Sequence, residues 1–192
     1  MGCDIHMYFE YTDNETIEKS LRGEKNGRGE LIKPYWRDIG GRINPGRNYA
    51  MFGFLSKGVR SDFENGFEPK GLPPFDDLGY SSRNDSVLYI IKNGEPGENE
   101  ATLEHALKWT ESGFYKIHYR GDEPAWVDHP DWHSHSWLTT AEYEQAINNY
   151  MEYAKDEEWG EHVPAEYGAM LAAMKYLEVN GFTARVVFWF DN

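Results

Sequence analysis

The sequence predicts a single α+β domain over residues 1–192, with a mixed or antiparallel sheet and two C-terminal helices packed on one face. Three observations predict this class. A chain of 192 residues suits one domain that buries a core of its own. The 7 Trp, 13 Tyr and 10 Phe supply large rings for that core. Strand and helix patterns follow one another in mixed order, unlike the regular alternation of a doubly wound sheet.

The N-terminal half begins with a clear strand pattern. From Cys3 to Thr12 apolar and polar residues alternate, which predicts a strand with one buried face. This strand and the last one are expected in the same sheet. The other elements predicted in this half are a polar loop over 13–30 with a helical turn around Glu15–Leu21, an edge strand over 31–36, turns over 40–48, a helix over Tyr49–Lys57 capped by Asn48, and a long irregular stretch over 61–86.

The C-terminal half ends on the strongest β composition in the chain, Phe182–Phe190. Thr139 is followed three residues later by Glu142, and this capping box predicts the start of a helix that continues to residue 158. The remaining predictions are strands over Val87–Lys92 and Phe114–Tyr119, a helix over Ala101–Thr110, a loop over 120–137 and a helix over Ala165–Glu178.

Charge is distributed unevenly around a net value of −14. Residues 1–70 carry 11 Lys/Arg and 11 Asp/Glu, whereas residues 71–192 carry 8 and 22. Broad nucleic-acid binding is not expected, because phosphate contacts dominate that affinity. The acidity either attracts a basic protein partner or only keeps the protein soluble. A single cysteine and the lack of a long apolar run predict a cytoplasmic protein without a membrane span.

The densest chemical signal is Asp128–His135, which holds three His and two Asp in eight residues. Asp131, His133 and His135 are two apart, so an extended backbone points all three the same way. Together with His6 they form a predicted metal site with the nitrogen and oxygen ligands that suit zinc or manganese. The alternative is that both histidines are polar loop residues bonded to the backbone.

A second candidate is the polar side of the first strand, with Asp4, His6, Tyr8 and Glu10. If this side meets the histidine segment, a mixed site follows in which Asp4, His6 and Asp131 are the catalytic candidates. Taken alone, the pattern is typical of the solvent face of an antiparallel strand. Cys3 lies on the apolar side and is predicted to be a core residue.

The third candidate is the basic, glycine-containing stretch from Lys33 to Asn48. Backbone N–H groups near glycines and forked guanidinium groups bind small anions such as phosphate. The ligand-binding candidates are Arg47, Asn48 and Arg60. No nucleotide-cofactor motif is present. The alternative is a surface loop with solvated charges.

Several segments together resemble a family of phage and bacterial proteins with no established activity. They are MGCDIH at the start, RNYAMFGFLSKGVR, GLP at 71–73, DWHSHSWLT at 131–139 and the terminal RVVFWFDN. The resemblance implies a phage or bacterial source, and hence the host cytoplasm if phage-encoded, but no mechanism. Residues 84–124 are unmatched and are a possible insertion. The shared motif positions include Asp4, His6, Arg47, Asn48, Asp131, His133 and Ser136.

The leading hypothesis is a metal-assisted site for a small anionic ligand. If the protein is an enzyme, phosphoester or nucleotide hydrolysis is the natural reaction, because a metal activates water and arginines stabilise developing charge. The alternative is a non-enzymatic phage accessory protein, active in counter-defence, that binds a host protein or a signalling molecule. Acidic mimicry of nucleic acid is disfavoured because residues 1–70 are neutral overall.

Overall fold

A computed structural model of the chain describes residues 2–91, 100–102, 116–119, 126–128, 132–155 and 163–191. Within these ranges the chain forms eight strands and five α-helices. The strands are β1 Asp4–Asp13, β2 Arg37–Ile43, β3 Val87–Ile91, β4 Glu100–Thr102, β5 Lys116–Tyr119, β6 Trp126–Asp128, β7 His133–Thr139 and β8 Phe182–Asp191. The helices are α1 Asn14–Leu21, α2 Tyr49–Leu55, α3 Tyr80–Asp85, α4 Thr140–Lys155 and α5 Ala165–Val179.

The main sheet is antiparallel and has the strand order β2-β1-β8-β7. Its two long central strands are the first and the last of the chain, and they pair in register from Asp4 opposite Asp191 to Asp13 opposite Phe182. The predicted fold class is therefore confirmed, as is the expectation that the first and last strands share a sheet.

One face of the main sheet carries the hydrophobic core. Ile5, Met7 and Phe9 on β1 are buried on this face with Phe188 and the other alternate residues of β8. Helices α2, α4 and α5 cover these residues. The prediction that the two C-terminal helices pack on one face of the sheet is therefore confirmed. The buried residues of α4 recur at helical spacing, and they are Tyr143, Ala146, Ile147, Tyr150 and Ala154.

The opposite face of the main sheet is also buried, so the expected solvent face on β1 is wrong. His6, Tyr8 and Glu10 are each 5% exposed or less. The segment before β3 lies across Tyr8 and Glu10, because the Gly79 amide donates to Glu10 at 2.8 Å and the Tyr8 hydroxyl donates to Asp85 at 2.6 Å. Burial, followed by this bond, raises the pKa of Tyr8.

A buried ion pair joins β1 to β8 on this second face. Arg185 donates from Nε to Oε2 of Glu10 at 2.8 Å, and its Nη2 lies 2.7 Å from the same oxygen. The other oxygen of Glu10 accepts from the Gly79 amide and the Ser82 hydroxyl. The Arg185 guanidinium also lies over the Trp36 ring, 3.6 Å from its centre. The pair thus fixes the 79–82 turn onto the sheet.

The cap predictions are confirmed. Asn48 accepts from the amide of Met51 at 3.0 Å and starts α2. Thr139 and Glu142 form the capping box of α4, with bonds of 2.9 Å and 3.3 Å between backbone and side chain in both directions.

Other elements differ from the sequence prediction. The edge strand lies at Arg37–Ile43 rather than at 31–36, and it includes Gly40 and Gly41 at φ 78° and 80°. These glycines mark irregular positions inside a strand, where the sequence pattern indicated turns. The segment over 61–86 contains α3, and the loop over 120–137 contains β6 and the start of β7.

A second sheet has the order β4-β6-β3-β5, in which β3 and β5 are parallel. The helix predicted over Ala101–Thr110 is wrong at its start, since Glu100–Thr102 pairs with β6 as a strand, and its remainder lies outside the described residues. The strands predicted at β3 and β5 are confirmed. The possible insertion at 84–124 spans three of these four strands and stays a prediction. None of the helices in the described ranges is long and apolar enough to cross a membrane.

Candidate functional site

One end of the main sheet places candidate residues of β1 and β7 on either side of β8. In the β1–β8 register Asp4 lies opposite Asp191 and His6 opposite Trp189. On the other side of β8, His133 lies opposite Phe190. The histidine segment and the polar side of β1 therefore flank the same strand. We call this region, formed by residues 2–6, 133–135 and 189–191, the sheet end.

His6 is held by a carboxylate that the sequence patterns did not mark. Its Nε2 lies 2.8 Å from Oδ2 of Asp191. Its ring stacks on Trp189 with 5.3 Å between centres and also contacts Trp132. When Nε2–H donates to the carboxylate, the lone pair of the imidazole lies on Nδ1, so the bond selects the tautomer. Antiparallel pairing of the first strand with the last was the signal that would have placed Asp191 near His6.

His133 and His135 do not point the same way, and that part of the metal-site prediction is wrong. Ser134 has a φ of 52° and the β7–β8 register shifts between His133 and Ser136. The His133 ring stacks on Phe190, whereas the His135 ring stacks on Trp189. Neighbouring residues of β8 face opposite sides of the sheet, so the bulge separates the two imidazoles.

His135 shares the second face with His6, and both stack on Trp189. Burial, followed by the neighbouring His133 and His6 rings, lowers the pKa of His135 to about 3. His135 is therefore neutral at pH 7. Neutral imidazole is the form that binds metals, but it is also the form expected for a buried structural histidine.

The described donors do not assemble a metal site. Asp131, predicted both as a catalytic residue and as a ligand, lies outside the described residues. Over the part of the chain that the structure describes, no three His, Cys, Asp or Glu side chains are grouped so that they could hold an ion. Imidazole nitrogens and carboxylate oxygens are ligands that zinc and manganese accept, but no three such side chains among the described residues converge on one point. Metal binding stays a prediction.

Arg47 and Asp4 form a two-bond ion pair at the sheet end. Nε and Nη2 of Arg47 donate to the two oxygens of Asp4 at 2.7 and 2.8 Å. The bond to Arg47 holds the pKa of Asp4 below its ordinary value. Both side chains are about half exposed, at 54% and 43%. The guanidinium is therefore accessible from solvent.

Arg60 and Asn48, the other ligand-binding candidates, lie around the same residues. Arg60 donates to the carbonyl of Gly2 at 2.9 Å, and its guanidinium lies over the Tyr49 ring at 5.5 Å. Asn48 donates to Tyr150 at 3.2 Å while its oxygen caps α2. A pocket of about 360 Å³ opens beside Arg47, Asn48, Tyr49 and Ala50. The structure thus brings the three predicted residues together.

Two further residues of the motifs have structural roles. Cys3 is buried in the core as predicted, and burial raises the pKa of its thiol despite the opposing effect of Arg60. The Ser136 hydroxyl accepts from the amide of Lys70 at 3.1 Å, which attaches the 70–72 segment to β7.

The fold and the sheet end define an α+β protein with a His, Asp and Arg cluster at one end of an antiparallel sheet. No family model, curated protein or solved structure matches the chain. The resemblance to a phage and bacterial family therefore stays a prediction.

Proposed function

We propose that the sheet end binds a small anionic ligand such as a phosphate ester and that the protein hydrolyses phosphoesters or nucleotides. The observation that supports this most is the side-by-side arrangement of the His6–Asp191 pair and the Arg47–Asp4 pair at cross-strand positions. The first pair supplies an acid–base element. The second supplies a forked cation within reach of solvent.

The arginines have the chemistry for the anionic group. Guanidinium groups stay charged at neutral pH, and their fork matches two phosphate oxygens. An exposed ion pair contributes only about 0–1 kcal/mol, so a phosphate can take Arg47 from Asp4 at little cost. Arg60, which donates to the carbonyl of Gly2, adds a second positive charge near the same residues.

The His6–Asp191 pair is suited to proton transfer. The Asp191 side chain is 27% exposed, whereas that of His6 is 6% exposed behind it. Asp191 is thus the solvent-facing member, and His6 positions it and shares its proton. In the proposed reaction a water oxygen bonds to phosphorus as the ester P–O bond breaks. The pair accepts the proton of the water, and the leaving oxygen takes a proton from solvent.

A divalent ion, zinc or manganese, would add Lewis-acid activation of that water if the chain binds one. His6 and His135 supply the imidazole groups that are described on the second face of the sheet. The proposed roles of the arginines and of the His6–Asp191 pair do not require the ion.

Ligand binding is tested by calorimetric titration of the full chain with inorganic phosphate, a nitrophenyl phosphate ester and nucleoside monophosphates. The Arg47→Ala/Arg60→Ala double variant should lose at least about tenfold in affinity, because each guanidinium bond to a charged group contributes about 1.5–3 kcal/mol. Arg28→Ala, an exposed arginine in the 22–30 loop, is the matched control. Equal affinity in the double variant and the control would reject the site.

Catalysis and metal content are separate measurements. Asp191→Asn should abolish release of nitrophenol without weakening phosphate binding. Elemental mass spectrometry of protein purified without chelators tests the metal prediction: zinc or manganese that is present in the wild type and lost in the His6→Ala/His135→Ala variant would support an ion on the second face. A metal-free wild type that still hydrolyses the ester would contradict the metal prediction alone.

A second candidate function is non-enzymatic binding of a host protein or signalling molecule. It is favoured by exposed apolar side chains on α5, where Tyr176 is 68% and Val179 is 82% exposed. Large exposed apolar surfaces often mark interaction sites.

A further inference from the structure

A groove runs between edge strand β2 and helix α5, far from the sheet end. Its volume is about 360 Å³. Its lining residues are Tyr11, Asp38, Ile39, Ala173, Tyr176 and Leu177. Tyr11 is seven residues after Asp4 on β1, which corresponds to about 23 Å along a strand. The groove is therefore a second surface, independent of the anion site.

Helix α5 is apolar on its outer side as well as its inner side. Only Tyr167 and Met174 are fully buried among its residues. Its exposed apolar residues repeat every three or four positions, which is the spacing that a second helix packs against. They are Ala165, Ala169, Ala172, Tyr176 and Val179.

The charges around the groove favour a cationic partner. Glu166 and Glu178 are exposed on α5, and Asp38 lines the groove. Oδ2 of Asp38 accepts from the amide of Ser81 at 2.9 Å and its Oδ1 is buried, so Asp38 contributes negative charge rather than a direct contact. Of the nearby cations, Lys175 is bound to Glu144 and Arg37 lies over the Tyr11 ring at 5.9 Å. The chain as a whole carries a net charge of −14, which opposes docking of an acidic partner or of a second copy.

We propose that this groove binds an amphipathic helix of a partner protein, with one large apolar side chain inserted between β2 and α5 and Lys or Arg beside it. The mode is helix-in-groove recognition, in which apolar anchors at helical spacing provide affinity and flanking charges provide orientation. Ile39, Ala173 and Leu177 contact the anchor, Tyr176 closes over it, and Glu166 and Asp38 attract the cations. The inference rests on the second candidate function and is independent of phosphate binding.

The test uses the full chain and three labelled peptides of about 18 residues with the same Leu/Phe stripe and Lys, Gln or Glu on the other face. Fluorescence anisotropy should show the Lys peptide binding at least about tenfold more tightly than the Glu peptide, with the difference shrinking at high salt. Ala173→Trp, which fills the groove, should reduce affinity for the Lys peptide at least about tenfold. Ala141→Trp places the same ring on an exposed position of α4 and is its control.

Tyr176→Ala should also weaken binding about tenfold, because aromatic residues carry much of the energy of such interfaces. Tyr80→Ala, at a tyrosine that is 72% exposed, is its control. Equal binding of the Lys and Glu peptides, or unchanged affinity in Ala173→Trp, would overturn the proposal. So would sedimentation showing a dimer that Ala173→Trp dissociates, since the occupant would then be a second copy. The Arg47→Ala/Arg60→Ala variant should bind the Lys peptide normally, which separates failure here from failure of the anion site.

Discussion

Replacing Glu10 by glutamine tests whether the ion pair with Arg185 secures the second face of the sheet. The substitution keeps the shape of the side chain and removes its charge. The oxygen of the new amide can still accept from the Gly79 amide and the Ser82 hydroxyl. Its NH2 group would then face the two nitrogens of Arg185 that now contact Oε2, and donors would oppose donors.

The expected loss follows from burial. Glu10 is fully buried and Arg185 is 6% exposed, so water cannot replace the lost partner. Burial alone already lowers the pKa of Arg185. Removing one member of a buried pair leaves an uncompensated charge and typically costs about 3–5 kcal/mol. Replacing both members by apolar residues of similar volume is often close to neutral.

Urea unfolding followed by tryptophan fluorescence measures these differences. We expect Glu10→Gln to lose about 3–5 kcal/mol of unfolding free energy. The Glu10→Leu/Arg185→Met double variant should be more stable than either single change. Glu10→Gln should also increase hydrogen exchange at the Gly79 amide, since that amide donates to Glu10. A loss of unfolding free energy below about 1 kcal/mol would refute the reasoning, because a loss that small is typical of breaking a solvent-exposed ion pair.

Three further predictions concern local features. Because the pKa of His135 falls from 6.5 to about 3, the unfolded chain binds more protons between these values. Stability should therefore decrease as the pH falls from about 6.5 to 3, by at most about 5 kcal/mol, and His135→Gln should flatten the pH dependence of the urea midpoint. Gly53→Ala would place a Cβ 2.7 Å from the backbone oxygen of Ser61 and should cost about 1–3 kcal/mol in thermal unfolding, whereas Gly27→Ala meets no atom within 4 Å and should not. Thr139→Ala removes the capping box with Glu142 and should cost about 1 kcal/mol by the same assay.

The elements with strong local signals could be predicted from the sequence. The capping box at Thr139, the cap at Asn48, the alternation along β1 and the β composition of β8 are each set by neighbouring residues. Edge strand β2 differs from the prediction because Gly40 and Gly41 resemble a turn locally. They lie at a register shift, and the pairing of Asp38 and Arg42 with β1 on either side of them makes the segment a strand. Tertiary pairing overrides local preference at such positions.

The candidate site was only partly predictable for the same reason. Arg47, Asn48 and Arg60 do lie together. Arg47 and Asn48 are adjacent in the chain, and the turn after α2 brings Arg60 back to the carbonyl of Gly2. The separation of His133 from His135 depends on one residue of bulge, and a period-two pattern cannot show it. Asp191 becomes a partner of His6 only through pairing of two strands that are 185 residues apart in sequence.

Burial of both faces of β1 links these observations. A strand with alternating polar residues usually leaves that side to solvent. Here the polar side chains are instead bonded to one another and to the segment before β3: Glu10 to Arg185, Tyr8 to Asp85 and His6 to Asp191. Each bond satisfies a group that would otherwise be costly to bury. Only toward the sheet end do the polar side chains reach solvent, at Asp4 and Asp191. The alternation of polar residues on β1 thus produces a buried, hydrogen-bonded row along most of the strand and a solvent-facing cluster at its start. Because only that cluster is accessible to a ligand, the sheet end is the region to test for binding.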